Sequence, residues 1–95
     1  MKTLIVHPGV ILKESFLDPL NITAYRLAKE TKISQTRISE IIQGKRSISV
    51  DTGLRLSKFL RLDDSFWLQA QMTYDLNKAK EKLQEQLNQI KTYDD

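Results

Sequence analysis

The stretch from Thr23 to Gly44, TAYRLAKETKISQTRISEIIQG, decides the fold because it contains two short helical patterns joined by a tight turn. Thr23 can cap the first helix, since its hydroxyl can accept a hydrogen bond from a free amide of the opening turn. Ser34 offers the same cap to a second helix, whose apolar residues recur at the spacing of one buried stripe: Ile38, Ile41 and Ile42. The closing glycine can end this helix in the left-handed conformation. The pattern predicts helices over residues 23–31 and 34–43.

The outer face of the second helix carries a polar set of side chains. Two helices joined by about three residues cannot pack antiparallel, so they cross steeply, as in a helix-turn-helix. Advancing about 100° per residue from a buried Ile38 leaves hydrogen-bonding side chains outside, and such groups can read base edges in the DNA major groove. The predicted base-reading residues are Gln35, Thr36, Arg37, Ser39, Glu40 and Gln43. The alternative is that any short amphipathic helix has a polar outer face.

The charge distribution divides the chain into a basic middle and an acidic end. Residues 23–47 contain six lysines and arginines against two glutamates, whereas residues 63–95 contain four cations against seven acids. This division is typical of a phosphate-binding domain with a separate protein-binding segment. The basic loop, which we define as Gly44 to Ser47, is predicted to contact DNA phosphates through Lys45, Arg46 and Ser47. An ordinary solvated loop is the alternative.

Length and composition exclude several classes of protein. The 95 residues predict one domain, spanning residues 1–95, and the absence of cysteine excludes disulfides and thiolate metal sites. The apolar opening MKTLIV is too short for a signal peptide and no stretch is long enough to span a membrane, so a cytoplasmic protein is expected. The only histidine, His7, lacks a partner for catalysis or metal binding and is predicted to cap or turn the chain. An enzyme is therefore the weakest interpretation, and neither metal nor cofactor is predicted.

The flanking segments predict three more helices and hence an all-α, five-helix fold. A first helix is predicted over Val10 to Leu17, ending before Asp18-Pro19. Ser49 can cap a fourth helix that finishes near Arg61, and a fifth begins about Ser65. Few aromatic residues and glycines, with many leucines, isoleucines and lysines, agree with this fold class.

The C-terminal helix is predicted over about 65–91 and carries a narrow apolar seam that is too thin to be buried alone. The seam consists of Leu76, Ala79, Leu83, Leu87 and Ile90. It therefore needs the body of the domain or a second chain, and a partly frayed, solvated tail is the alternative. A Trp beside a Phe at its start is more often core than ligand site. The residues predicted to make dimer or partner contacts are Phe66, Trp67, Tyr74, Leu76, Leu83, Leu87 and Ile90.

Residues that together carry a family resemblance are spread from His7 to Leu76. They are Leu27, Ala28, Ile33, Ile38 and Ile41 in the central stretch; His7-Pro8-Gly9, Ile11-Leu12, Glu14, Phe16-Leu17 and Pro19-Leu20 before it; and Gly44-Lys45-Arg46, Phe66-Trp67-Leu68, Gln71 and Tyr74-Asp75-Leu76 from its end onward. On these residues the chain resembles the HigA-type (VapI-like) antitoxins of the phage-repressor-like (XRE) helix-turn-helix family. The chain departs from the family where Lys32 replaces the usual turn glycine. A left-handed conformation there would cost roughly 1 kcal/mol.

The resemblance implies a small bacterial antitoxin that binds double-stranded operator DNA as a homodimer, represses its own operon and neutralises a HigB/RelE-like mRNA endonuclease. It also implies that Thr23 and Arg26 lie near phosphates, beside Lys45 and Arg46. Two alternatives remain at this point. One is a phage or host repressor without a toxin partner, and the other is a helical adaptor whose basic face is incidental.

Overall fold

The computed structural model describes residues 5–94, and that range contains helices and turns without a β-strand. The elements are α1 (Pro8–Ile11), a π-helical segment that continues it (Leu12–Leu17), α2 (Ala24–Thr31), α3 (Gln35–Ile42), α4 (Val50–Leu60) and α5 (Phe66–Asn88). With α1 and its continuation counted as one helix, the predicted all-α, five-helix fold is confirmed. The sequence also predicts a short extended arm over residues 3–6, and the first two of these residues lie outside the described range.

The first helix begins two residues before the predicted Val10. His7 supplies the reason, because its Nδ1 atom accepts a hydrogen bond from the Gly9 amide at 2.9 Å. Pro8 follows at the first helical position, where its fixed φ suits a helix and its missing N–H costs nothing. The prediction that His7 caps a helix is thus confirmed.

Side-chain caps set the starts of the three central helices. Thr23 Oγ1 accepts from the Arg26 amide at 3.0 Å, Ser34 Oγ from the Arg37 amide at 3.1 Å, and Ser49 Oγ from the Thr52 amide at 3.3 Å. Each cap lies three residues before its donor, the geometry that satisfies a free amide of the first turn. Each helix therefore begins at the residue after its cap.

The core forms where the helices meet, and Trp67 lies at its centre. The indole is fully buried and packs edge-on against Phe16 and Phe66, with ring centroids 5.5 and 4.9 Å away. The prediction that Trp67 contacts a partner is therefore wrong, because the two phenylalanines and the core leave no face of the ring exposed. The other buried apolar residues are Leu12, Leu17, Leu27, Ala28, Ile33, Ile38, Ile41, Ile48 and Leu56.

The second half of α5 extends away from the core. Every residue from Lys80 to Asp94 is exposed, including Leu83 and Leu87 of the predicted seam. The helix ends at Asn88 instead of residue 91, so Ile90 lies beyond it and is also exposed. Within the described chain, the seam has no surface to pack against.

The turn between α2 and α3 contains a strained residue. Lys32 adopts the left-handed conformation, with φ 60° and ψ 34°, as the missing turn glycine suggested. Replacing Lys32 with glycine is expected to raise the free energy of unfolding by about 1 kcal/mol, because the Cβ clash disappears. Urea denaturation would measure the change.

Lys29→Gly provides the matched control for that substitution. Lys29 is an exposed residue of the regular part of α2, so glycine there is expected to lower the free energy of unfolding by about 1 kcal/mol. A loss of stability in both variants would contradict the strain assigned to Lys32.

Candidate nucleic-acid interface

α3 is held against the domain from two sides, which leaves its remaining face in solvent. On one side, Ile38 packs with Leu27 and Ala28 of α2 in the core. On the other, α1 approaches so closely that a Cβ added to Gly9 would lie 1.8 Å from the carbonyl oxygen of Ile41. Only a glycine permits this contact, and it fixes the depth at which α3 sits in the domain.

The predicted base-reading residues share this exposed side of α3. Gln35, Thr36, Arg37 and Gln43 are exposed, whereas Ser39 and Glu40 are half-buried. Ser39 and Glu40 line a shallow hollow, together with Gln35, Thr36 and the start of α2 at Ala24. The surface is polar and open, so the helix is available to enter a groove.

Three of these side chains form hydrogen bonds within the protein. Glu40 Oε1 accepts from Arg46 Nε at 3.1 Å and lies 3.0 Å from a second guanidinium nitrogen. Gln43 Nε2 donates to Ser39 Oγ at 2.8 Å. Glu40 was predicted to read bases, but in this conformation one of its oxygens accepts from Arg46. Among the described residues, the side chains of Gln35 and Thr36 make no such hydrogen bond.

The basic loop continues the same surface beyond the end of α3. A left-handed Gly44, with φ 76°, closes the helix, and the Gly44 and Lys45 amides donate to the carbonyls of Ile41 and Glu40 at 3.0 and 2.8 Å. This is the Schellman arrangement, which satisfies the free carbonyls of a helix end. Lys45, Arg46 and Ser47 are exposed, and no carboxylate of residues 5–94 lies within 4.0 Å of the Lys45 ammonium. Lys45 is therefore available to an external anion.

The remaining predicted phosphate ligands lie at the start of α2. Thr23 and Arg26 are both exposed there. The Thr23 oxygen already accepts from the Arg26 amide, but its hydroxyl hydrogen can still be donated to a phosphate oxygen. The structure thus places possible phosphate donors at the start of α2 and in the basic loop.

His7 lies behind the basic loop and adds little charge to it. Its ring meets Tyr74 edge-on at 4.9 Å, and a Cβ added to Gly44 would lie 3.8 Å from the imidazole Cγ. Burial lowers the pKa of His7 from its usual 6.5, while the Asp75 charge and the backbone of Arg46 act in the opposite direction. The neutral form also keeps Nδ1 free to accept the Gly9 amide. Tyr74, predicted as a partner contact, is half-buried against this histidine.

Gln71 supports the basic loop from the interior and was not among the predicted site residues. It is buried in α5, and its Oε1 accepts from the Ile48 amide at 2.8 Å, immediately after the basic loop. The signal available was its position four residues after Trp67, on the same face of the helix. A polar residue on a buried face needs a hydrogen-bond partner.

Neither a metal centre nor a membrane-crossing segment is found in the part of the chain that the structure describes. Residues 5–94 contain no group of three or more histidine, cysteine, aspartate or glutamate side chains placed to hold a metal ion. No helix in the same range combines the length and apolarity that a bilayer crossing needs.

Comparison with known proteins gives consistent matches. A family model described as helix-turn-helix matches residues 13–67. Virulence-associated protein I of Dichelobacter nodosus is 42% identical over 79 residues, which cover 83% of this chain and 73% of that protein. Among solved structures, an addiction module antidote protein of the HigA family from Coxiella burnetii is 36% identical with a TM-score of 0.89, covering 96% of this chain and 100% of that one. Pseudomonas aeruginosa antitoxin HigA with the higBA promoter is 30% identical with a TM-score of 0.88, covering 93% and 97%.

Proposed function

This chain belongs to the helix-turn-helix family of HigA-type and VapI-like antitoxins, and from that premise we propose that it represses its own operon and neutralises a toxin encoded beside it. The observation that carries the proposal is the single exposed surface formed by the polar face of α3 and the basic loop. The solved relative with the higBA promoter supports DNA as the ligand of that surface. The role implies a bacterial cytoplasmic protein that is bound to the nucleoid during repression.

The mode of DNA binding follows from this surface. α3 enters the major groove, where Gln35 and Thr36 at its exposed amino end face the base edges first. At its other end, phosphates are bound by Lys45, Arg46 and Ser47 of the basic loop. At the start of α2, phosphates are bound by Thr23 and Arg26. Phosphate contacts supply most of the affinity, whereas contacts to bases supply selection.

A homodimer is part of the proposal, because one short helix reads too few base pairs to specify an operator. The occupant that we assign to the apolar groove between the start of α4 and the middle of α5 is a second copy of the chain. Val50, Met72 and Leu76 line this groove and are 61, 68 and 57% exposed. The groove begins at Ile48, directly after the basic loop, so a dimer formed there joins the two copies beside their DNA surfaces.

The toxin contact is assigned to the exposed seam of the C-terminal helix. Leu83, Leu87 and Ile90 present apolar side chains that no other described part of the chain covers. Together with the similarity to named antitoxins, this supports capture of a HigB/RelE-like mRNA endonuclease. A stand-alone repressor without a toxin is the second candidate, and it requires the same DNA surface but no partner for the seam.

Two substitutions on the DNA surface separate base reading from phosphate contact. Gln35→Ala is expected to lower operator affinity by the roughly 1–3 kcal/mol that a lost base contact costs, with little change on scrambled DNA. Arg46→Ala is expected to weaken binding to both sequences alike. It is also expected to reduce the slope of log affinity against log salt concentration by about one. Gel shifts over a series of salt concentrations measure both effects. Equal losses on the two DNAs for Gln35→Ala would remove its reading role.

Co-expression tests the antitoxin part of the proposal. The chain is expected to copurify with the product of the adjacent open reading frame and to restore growth when that product is induced. Failure of both, with sequence-selective DNA binding intact, would leave the stand-alone repressor. The absence of any salt-sensitive, sequence-selective complex would instead favour a protein adaptor.

A further inference from the structure

The backbone of the basic loop is fixed at both ends by hydrogen bonds. At its start, the Lys45 amide donates to the Glu40 carbonyl at 2.8 Å. Just after its end, the Ile48 amide donates to Gln71 Oε1, also at 2.8 Å, and the Ile48 side chain is buried. The second anchor joins residues 23 positions apart in the chain and comes from α5, a helix that has no place on the proposed DNA surface.

The geometry points to Gln71 as the positioning residue of the phosphate-binding loop. The inference rests on the proposed DNA-binding function, because positioning matters only where the loop meets phosphates. Gln71 touches no DNA itself in this account. It acts by holding the backbone that carries Lys45 and Arg46, so that these side chains meet phosphates without first ordering the loop.

With Asp75 in place, the glutamine side chain satisfies both groups at this site. Its amide oxygen accepts from the Ile48 amide, and its Nε2 donates to Asp75 Oδ1 at 2.9 Å. A methionine of similar length would leave the Ile48 amide without an acceptor, and Gln71 is only 6% exposed, so water cannot replace it readily. A glutamate would keep an acceptor for Ile48 but would face a second carboxylate at Asp75.

The site therefore offers a rescue design. In the double variant Gln71→Glu/Asp75→Asn, the donor and acceptor of the 71–75 pair are exchanged. The new carboxylate at position 71 accepts from both the Ile48 amide and the new side-chain amide at position 75, and the net charge is unchanged. If Gln71 only packs against its neighbours, Gln71→Glu and the double variant should have the same DNA affinity. If Gln71 positions the loop, the double variant should recover the affinity that Gln71→Glu loses.

The experiment measures affinity for operator and scrambled duplexes over a series of salt concentrations. Gln71 and Asp75 also line the apolar groove assigned to the dimer, so analytical ultracentrifugation is run on each variant, and all are expected to remain dimeric. Gln71→Met and Gln71→Glu are expected to bind both duplexes about tenfold more weakly. The slope of log affinity against log salt concentration is expected to be smaller by about one, with an unchanged ratio of the two affinities. Gln71→Glu/Asp75→Asn is expected to recover the affinity. Leu60→Ala, a half-buried core substitution in α4, is the control for lost stability and is expected to bind DNA as the wild type does at temperatures where it stays folded.

Hydrogen exchange of the Ile48 amide without DNA supplies a second readout. Gln71→Met is expected to accelerate that exchange more than Leu60→Ala does. Unchanged DNA affinity in Gln71→Met, a loss confined to the operator, or failure of the double variant to recover would overturn the inference. If the wild-type chain binds neither duplex, the DNA-binding part of the proposed function fails, while faster Ile48 exchange in Gln71→Met would still show that Gln71 holds the loop.

Discussion

Replacing Gly9 with alanine is expected to destabilise the protein by more than about 4 kcal/mol, which is a large part of the stability of a small domain. The added Cβ would lie 1.8 Å from the carbonyl oxygen of Ile41 and 2.7 Å from its carbonyl carbon. Both atoms belong to the backbone of α3, so no side-chain rotation relieves the overlap. Either α1 separates from α3 or α3 moves, and in both cases the DNA surface is lost.

Gly53→Ala is the matched control. Gly53 is also a buried helical glycine, but the nearest atom to its added Cβ is Leu68 Cδ2 at 3.3 Å, the end of a flexible side chain. Alanine also gains about 1 kcal/mol of helix propensity over glycine, so the net change is expected to stay within about 1 kcal/mol. Thermal unfolding followed by circular dichroism compares the two. A Gly9→Ala protein that melts near the wild-type temperature would rule out the close packing of α1 on α3.

Replacing Met72 with glutamate is expected to abolish the dimer and to reduce operator affinity by a factor of at least about 100, because two linked half-site contacts become separate events. Met72 is 68% exposed in the single chain, so its replacement costs the monomer little stability. In the proposed dimer the same position is central to an apolar groove, where an unpaired carboxylate is strongly unfavourable. Analytical ultracentrifugation and gel shifts measure the two effects.

Leu83→Glu distinguishes the role of the apolar groove from that of the C-terminal seam. It makes the same charge change on the same helix, at a leucine that is 41% exposed. We expect this variant to remain dimeric, to bind the operator normally and to lose the toxin. A monomeric Leu83→Glu protein beside a dimeric Met72→Glu protein would assign the dimer contact to the seam and the groove to another partner.

Most of the fold was predictable because helix starts depend on residues close together in the chain. The caps at Thr23, Ser34 and Ser49 act on amides three residues away, so the sequence contains all the information that places them. The left-handed Lys32 was expected from the family resemblance instead, because the family usually has a glycine at this position of the turn. The start of α1 was missed by two residues, although its cap at His7 was anticipated.

The candidate site was predictable as a face but not as a set of interactions. Helical periodicity places Gln35 and Thr36 on the outer face and Ile38 on the inner face. In the structure the first two are exposed and Ile38 is buried. The ion pair between Glu40 and Arg46 was not foreseen, because it depends on how the loop turns back over the helix end. The assignment of Trp67 to a partner surface failed for a related reason. An apolar side chain follows the same pattern whether another helix or another protein covers it.

The sequence by itself determined the positions of the helices, their inner and outer faces and the basic character of one surface, since these follow from local hydrogen bonds, periodicity and charge. Only the tertiary structure decided which faces are covered within the chain. It placed Trp67 in the core, left Met72 and Leu83 uncovered and brought Gln71 to the amide of Ile48. The physical reason is that these contacts join residues distant in sequence, and their formation depends on the packing angles and depths of whole helices, such as the approach that Gly9 permits.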